Sequence, residues 1–163
     1  MMLDSVLIIT LNVATVGAGL MAGVYFAFSG FVMHSLDRLG AVQATDAMNS
    51  INRVILKSLF MYVFFGSTLL YTALTIFAMF DSELPGRLLL IFTGVLYISG
   101  MFLCTAVFNV PLNNRLAASA DDENAKSEIW AHYLLYWTRW NHLRSICSLA
   151  TMLLSIQYLV AFA

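Results

Sequence analysis

The chain has 163 residues, of which 61% are hydrophobic and only 10% charged, with just two prolines. A water-soluble domain carries about a quarter charged residues, so this composition excludes a water-facing surface and defines an integral membrane protein. A net charge of −1 supplies no basic field for nucleic acid, and no such partner is expected.

The first apolar run, residues 6–33, contains no charged residue and is long enough to cross a hydrocarbon core, which takes about 20 helical residues. No basic segment precedes it, and it is too long for a cleaved signal peptide, so it is expected to be retained. Gly19, Gly23 and Ala27 are spaced by four along it, as are Ala14, Ala18 and Ala22. Small residues at this spacing let membrane helices approach closely. They fit packing inside a bundle, or a homo-oligomer contact through the Gly19/Gly23 face. The connection "HSLDRLGAVQATDAMNSINR" breaks at Gly40 and then reads as helix.

A second span is predicted over 54–80, with Lys57 near its start, and "DSELPGR" follows as a short Pro-Gly turn. The third span, 88–108, is expected to stop at "NVPLNNR", where Pro111 cannot continue the backbone ladder. Next, "ASADDENAKSEIWAHYLLYW" opens with a capping-box-like pair, Ser119 and Asp122. Ile129, Trp130, Tyr133, Leu134 and Trp137 then recur at helical spacing. The fourth span, 143–163, is therefore expected to extend beyond the bilayer on its N-terminal side. Cys104 and Cys147 lie inside apolar runs, with neither disulfide nor metal spacing. Residues 1–163 read as one all-α domain, an up-and-down bundle of four transmembrane helices.

Lys and Arg counts set the expected orientation. Connections one and three, with their flanks, hold Arg38, Arg53, Lys57, Arg115, Lys126, Arg139 and Arg144, while connection two holds only Arg87. Seven against one puts the first and third connections in the cytoplasm. Both termini are then extracytoplasmic, in a multi-pass protein of the cell's inner (plasma) membrane surrounded by lipid.

The polar residues near the membrane collect at that same end. Asn49, Asn52, Arg53 and Lys57 open the second span; Asn109, Asn113, Asn114 and Arg115 close the third; Trp137 to Arg144 open the fourth; His34, with Tyr25 and Ser29 deeper, closes the first. Trp137, Asn141 and Arg144 share a helix face by their i, i+4, i+7 spacing. Two readings stay open: interface anchoring by Trp, Tyr, Arg and Lys, or a polar pocket. Asparagines gain nothing special from an interface, which favours the pocket. His34, His132 and His142 have no His-x-x-x-His or Glu-x-x-His partner, so no metal site is expected. Nucleophilic triads and phosphate-binding loops are missing too.

"AGVYFAFSGFVM" (22–33), "INRVIL" (51–56), "FNVPLNNRL" (108–116) and "WTRWNHLR" (137–144) together resemble the anthrone oxygenase-like family of small four-helix membrane proteins. Two positions depart from its pattern: His34, where proline often stands, and Lys57-Ser58, where Asn-Pro often follows "INRVIL". The resemblance implies oxidation of a hydrophobic, planar, anthrone-like substrate by O2 without a metal, flavin or other cofactor. It makes Asn52, Arg53, Asn109, Asn113, Trp137, Asn141, His142 and Arg144 the candidate site, with Tyr25 nearby. On that pattern His142 is the expected base, Arg144 with Asn113 or Asn141 stabilises an enolate oxygen, and Trp137 and Trp140 stack on the substrate. The contrasting reading is a non-catalytic lipid- or ligand-binding accessory protein, in which His142 caps helix ends and Arg144 pairs with a nearby acid or a headgroup.

Overall fold

A computed structural model of the chain describes residues 2–162, with side chains from Ser5 onward. The expected domain limits at Met1 and Ala163 lie outside the described residues. Helix α1 runs through Met2–Ala27, widens into a π-type turn at Phe28–Val32 and resumes as Met33–Asp37. Helix α2 is Ala41–Ile55 and α3 is Leu59–Phe80. Helix α4 begins as Arg87–Tyr97, passes through two π-type turns, Ile98–Leu103 and Thr105–Asn109, and ends as Val110–Ala118. Helix α5 is the single 40-residue segment Glu123–Phe162. No strand occurs among the described residues, and α1, α3, α4 and α5 are long and apolar enough to cross a membrane. Their outer faces carry exposed Ile9, Phe26, Leu69, Phe92 and Ile146, a surface that hydrocarbon solvates and water does not.

The four long helices close on small residues. Ala14, Ala18 and Ala22 are buried in the bundle, and a Cβ added to Gly19 would stand 2.9 Å from Met152 Sδ of α5. Gly23, by contrast, is exposed, with open space around it. At Gly94 a Cβ would run into Thr75 Oγ1 and lie 3.0 Å from the Tyr71 carbonyl, so only glycine lets α4 sit this close to α3. The core there holds Leu11, Met21, Tyr71, Tyr97 and Met101. A second cluster, Met33, Met48, Leu116, Trp130 and Trp137, fills the end of the bundle under α2.

Local chemistry sets the ends. Gly40 takes φ +86°, a left-handed value that a glycine tolerates, and turns the chain into α2. In the opposite turn Gly86 has φ +68°. Arg87 then folds back so that its Nε and Nη2 donate to the carbonyls of Ala78 and Met79 at 2.8 and 3.0 Å, satisfying the open end of α3.

Three expected boundaries differ. The helix of the second span starts at Leu59, not at residue 54, because Ser58 takes an extended conformation and its Oγ accepts from Phe60 N–H. Asn49, Asn52 and Arg53 therefore belong to α2, a separate helix across the bundle end. Pro111 does not break α4: it enters the first turn of Val110–Ala118, where its missing N–H costs little, directly after the π-type turns have shifted the ladder. Finally, Asp122 rather than Ser119 caps α5. Its Oδ1 accepts from the N–H groups of Asn124 and Ala125 at 2.9 and 3.2 Å, while the Ser119 hydroxyl donates to the Leu116 carbonyl.

Candidate functional site

The two core clusters leave a cavity of about 280 Å³ between them, walled by all five helices. Its sides are mostly aromatic and aliphatic: Phe28 from α1, Met48 and Ile51 from α2, Phe60 and Phe64 from α3, Phe102 from α4. Leu56, Phe65 and Val110 line it and are also exposed on the outer surface, so its rim is apolar and faces sideways out of the bundle. All three π-type turns contribute or adjoin wall residues, as Phe28, Phe102, Thr105 and Ala106 show. Such turns rotate side chains out of the α register, and they recur at functional sites.

Arg144 is the one charged residue in the wall. It is 5% exposed, and its guanidinium carbon lies 4.3 Å from the Tyr25 ring centre and 5.2 Å from that of Trp137. Desolvated cation–π contacts of this kind contribute up to about 2 kcal/mol each. Arg144 Nη2 donates to Asn141 Oδ1 at 2.7 Å and Nη1 to Thr105 Oγ1 at 3.2 Å. No carboxylate pairs with it: among the described residues the ion pair is Lys126–Asp46 at 2.7 Å, which joins α5 to α2. The expected alternative of a nearby acid as partner is therefore not what the structure shows for Arg144.

Asn141 holds this arrangement from behind. It is fully buried, and its Nδ2 donates to the Tyr25 carbonyl at 2.6 Å and to Ser29 Oγ. The Tyr25 carbonyl lies just ahead of the π-type turn in α1, where the backbone ladder is redirected and acceptors are freed. Asn109 likewise sits behind the wall, donating to the Trp137 carbonyl at 3.3 Å. Asn113 Oδ1 is on the wall and accepts from Tyr133 Oη at 2.8 Å.

Three donors of wall residues, Arg144 Nε, Trp137 Nε1 and Asn52 Nδ2, have no acceptor at hydrogen-bond distance and angle, although Asn52 lies close to the Tyr133 hydroxyl. Buried donors are seldom left unpaired, because each costs about 1–3 kcal/mol.

Of the residues singled out from sequence, the cavity gathers Tyr25, Asn52, Asn113, Trp137 and Arg144. Asn109 and Asn141 are buried directly behind it. His142, Trp140 and Arg53 contribute no wall surface. His142 and Arg53 are exposed, and Trp140 stacks on Phe108 with ring centres 3.7 Å apart. The expectation that His142 is a base beside the substrate thus lacks the geometry it needs, and Trp140 already has a stacking partner inside the protein. His34 and His132 are exposed as well, and the described residues hold no group of three His, Cys, Asp or Glu that could bind a metal. Sequence reasoning missed Thr105. Its signal was the spacing Thr105, Asn109, Asn113, a polar residue at every fourth position of an otherwise apolar helix.

The fold and cavity define a small helical membrane-type protein with an apolar chamber whose wall carries one buried cation, Arg144. The chain belongs to the anthrone oxygenase family, whose family model matches residues 59–154. That match spans α3, α4 and most of α5, and so includes Thr105, Asn113, Trp137 and Arg144, whereas Tyr25 and Asn52 lie outside it. No curated protein and no solved structure matches the chain.

Proposed function

We propose that the protein is a membrane-embedded oxygenase that oxidises a planar, hydrophobic, anthrone-like substrate in the chamber beside Arg144. The observation that carries this reading is the aromatic cavity with Arg144 and Trp137 in its wall, in a chain of the anthrone oxygenase family. A volume near the lower end of ligand pockets, about 300 Å³, suits a few fused rings better than a lipid. The exposed apolar rim at Leu56, Phe65 and Val110 lets such a molecule enter from the bilayer side.

The chemistry needs little from the protein beyond positioning and charge. An anthrone becomes electron-rich once its enol oxygen is deprotonated, and can then give an electron to O2. Carbon–oxygen bond formation and loss of water complete the reaction: the ring CH2 becomes C=O, and O2 supplies that oxygen and the oxygen of one H2O. Arg144, Trp137 and Asn52 would hold the substrate oxygen, and the apolar walls would keep water from competing.

The seven Lys and Arg residues on the first and third connections and their flanks support a cytoplasmic position for the chamber end. A second reading, a binding protein without chemistry, draws support from the absence of any carboxylate or imidazole in the wall. Dissolved oxygen and quinone absorbance, followed together for purified protein in detergent with an anthrone, separate the two readings. The oxygenase consumes one O2 per quinone at a rate proportional to protein. A rate equal to that of protein-free detergent would reject it.

A further inference from the structure

Resting on that reading of the chamber as the substrate site, we infer that it takes its ligand as an oxyanion. Arg144 does this by charge, and the proton passes to water instead of to a basic side chain of the wall. Three observations lead there. The guanidinium is buried without a carboxylate partner. Its Nε and the Nε1 of Trp137 and Nδ2 of Asn52 are donors with no acceptor at hydrogen-bond distance and angle. And no wall residue is a carboxylate or imidazole.

A buried cation lacking a counter-ion is costly. An ionised enol or phenol oxygen removes that cost, whereas a neutral hydroxyl removes little of it. The site therefore binds the ionised form more tightly, and by linkage the ligand's own acidity must rise on binding. The ionisable groups facing Arg144 are Tyr25 from α1, Cys104 from α4 and Tyr133 from α5 itself. The wall residues from α2 and α3 are uncharged. All three facing groups are neutral in their ordinary protonated form, so none supplies the missing negative charge. The ligand class that fits is a flat aromatic molecule with one acidic enol or phenol oxygen at its edge.

The test uses the full chain in detergent and a hydroxyanthraquinone as the probe, because its visible band moves to the red when the phenol ionises. With saturating wild-type protein the bound dye's pKa should fall by about 1–3 units, the range for an opposite charge within contact distance. Arg144→Lys should keep most of that shift, Trp137→Phe part of it, and Arg144→Met should abolish it. Dye bound in its neutral form by wild type, an equal shift with Arg144→Met, or no binding by wild type would each overturn the inference. If Arg144→Met fails to fold, the wild-type shift and the Lys and Phe variants still decide. A full shift without oxygen uptake from an anthrone would defeat the oxygenase reading alone. Uptake with the dye bound neutral would defeat the oxyanion inference alone.

Discussion

At the scale of single residues, Arg144 and His142 stand two positions apart in α5 and do opposite things. Two steps along an α-helix turn a side chain through about 200°, so if one faces the chamber the other faces away. The cluster "RWNHLR" was legible as a polar concentration, but its division into inward and outward members was not. That division depends on which side of α5 meets α1 and α4. Asn141, one turn before Arg144, is the positioning residue: it accepts from the guanidinium and anchors itself on the Tyr25 carbonyl. Replacing it by Leu leaves buried groups unpaired at about 1–3 kcal/mol. A lower melting temperature in detergent follows, together with loss of part of the bound dye's acidity shift. Asn141→Asp introduces a carboxylate beside Arg144 and should abolish that shift even where the fold survives. A dye that ionises as readily on Asn141→Asp as on wild type would contradict this role.

At the scale of elements, α2 is what turns a four-helix bundle into a chamber. Hydropathy predicted the long helices, because about 20 apolar residues in a row leave few alternatives. Pro111 misled for a physical reason: the π-type turns ahead of it place it where a helix tolerates proline, and nothing in the local sequence reports their wider spacing. The position of α2 was hidden too, since a short amphipathic helix gains its place from tertiary contacts. Those contacts are specific. Asn49 Nδ2 donates to the Leu116 carbonyl at 3.3 Å and Lys126 pairs with Asp46 at 2.7 Å, while Trp130 packs in one cluster with Ala44 and Met48 and its Nε1 donates at 2.8 Å to Asp37, the last residue of α1 before the turn into α2. The half-exposed ion pair contributes at most about 1 kcal/mol, whereas the bond from buried Trp130 to a carboxylate is worth about 1.5–3 kcal/mol. Trp130→Phe should therefore speed amide exchange in residues 41–55 by about tenfold or more while α3 keeps its protection. Unchanged exchange in that segment would show that α2 is held by other contacts.

At the scale of the whole molecule, the chamber sits at one end of the bundle, beside the connections that carry most of the Lys and Arg residues. The proposed orientation predicts that a cysteine at Asp122, in an otherwise cysteine-free protein, is labelled by a membrane-impermeant thiol reagent only after cells are opened. A cysteine at Ser82, in the opposite turn, is labelled in intact cells. The reverse pattern would put the chamber on the outer side. Family membership was legible from short motifs, two of which, residues 108–116 and 137–144, lie inside the matched residues 59–154 and carry side chains of the chamber wall, Val110, Asn113, Trp137 and Arg144. The bundle's apolar walls, Phe60, Phe64 and Phe102 among them, read in sequence only as membrane-spanning residues. An aromatic side chain facing lipid and one facing a cavity look alike until the helices are placed.

Oxidation beside Arg144, and not at His142, is what the chamber geometry implies. It is tested most directly by measuring oxygen uptake from an anthrone with Arg144→Met and His142→Ala side by side. Arg144→Met should lose activity by about 100-fold, the usual loss for one oxyanion-stabilising donor. His142→Ala, an exposed substitution outside the chamber, stays within about twofold of wild type. Loss of activity in His142→Ala with Arg144→Met still active would contradict it, and would move the site to the outer face of α5.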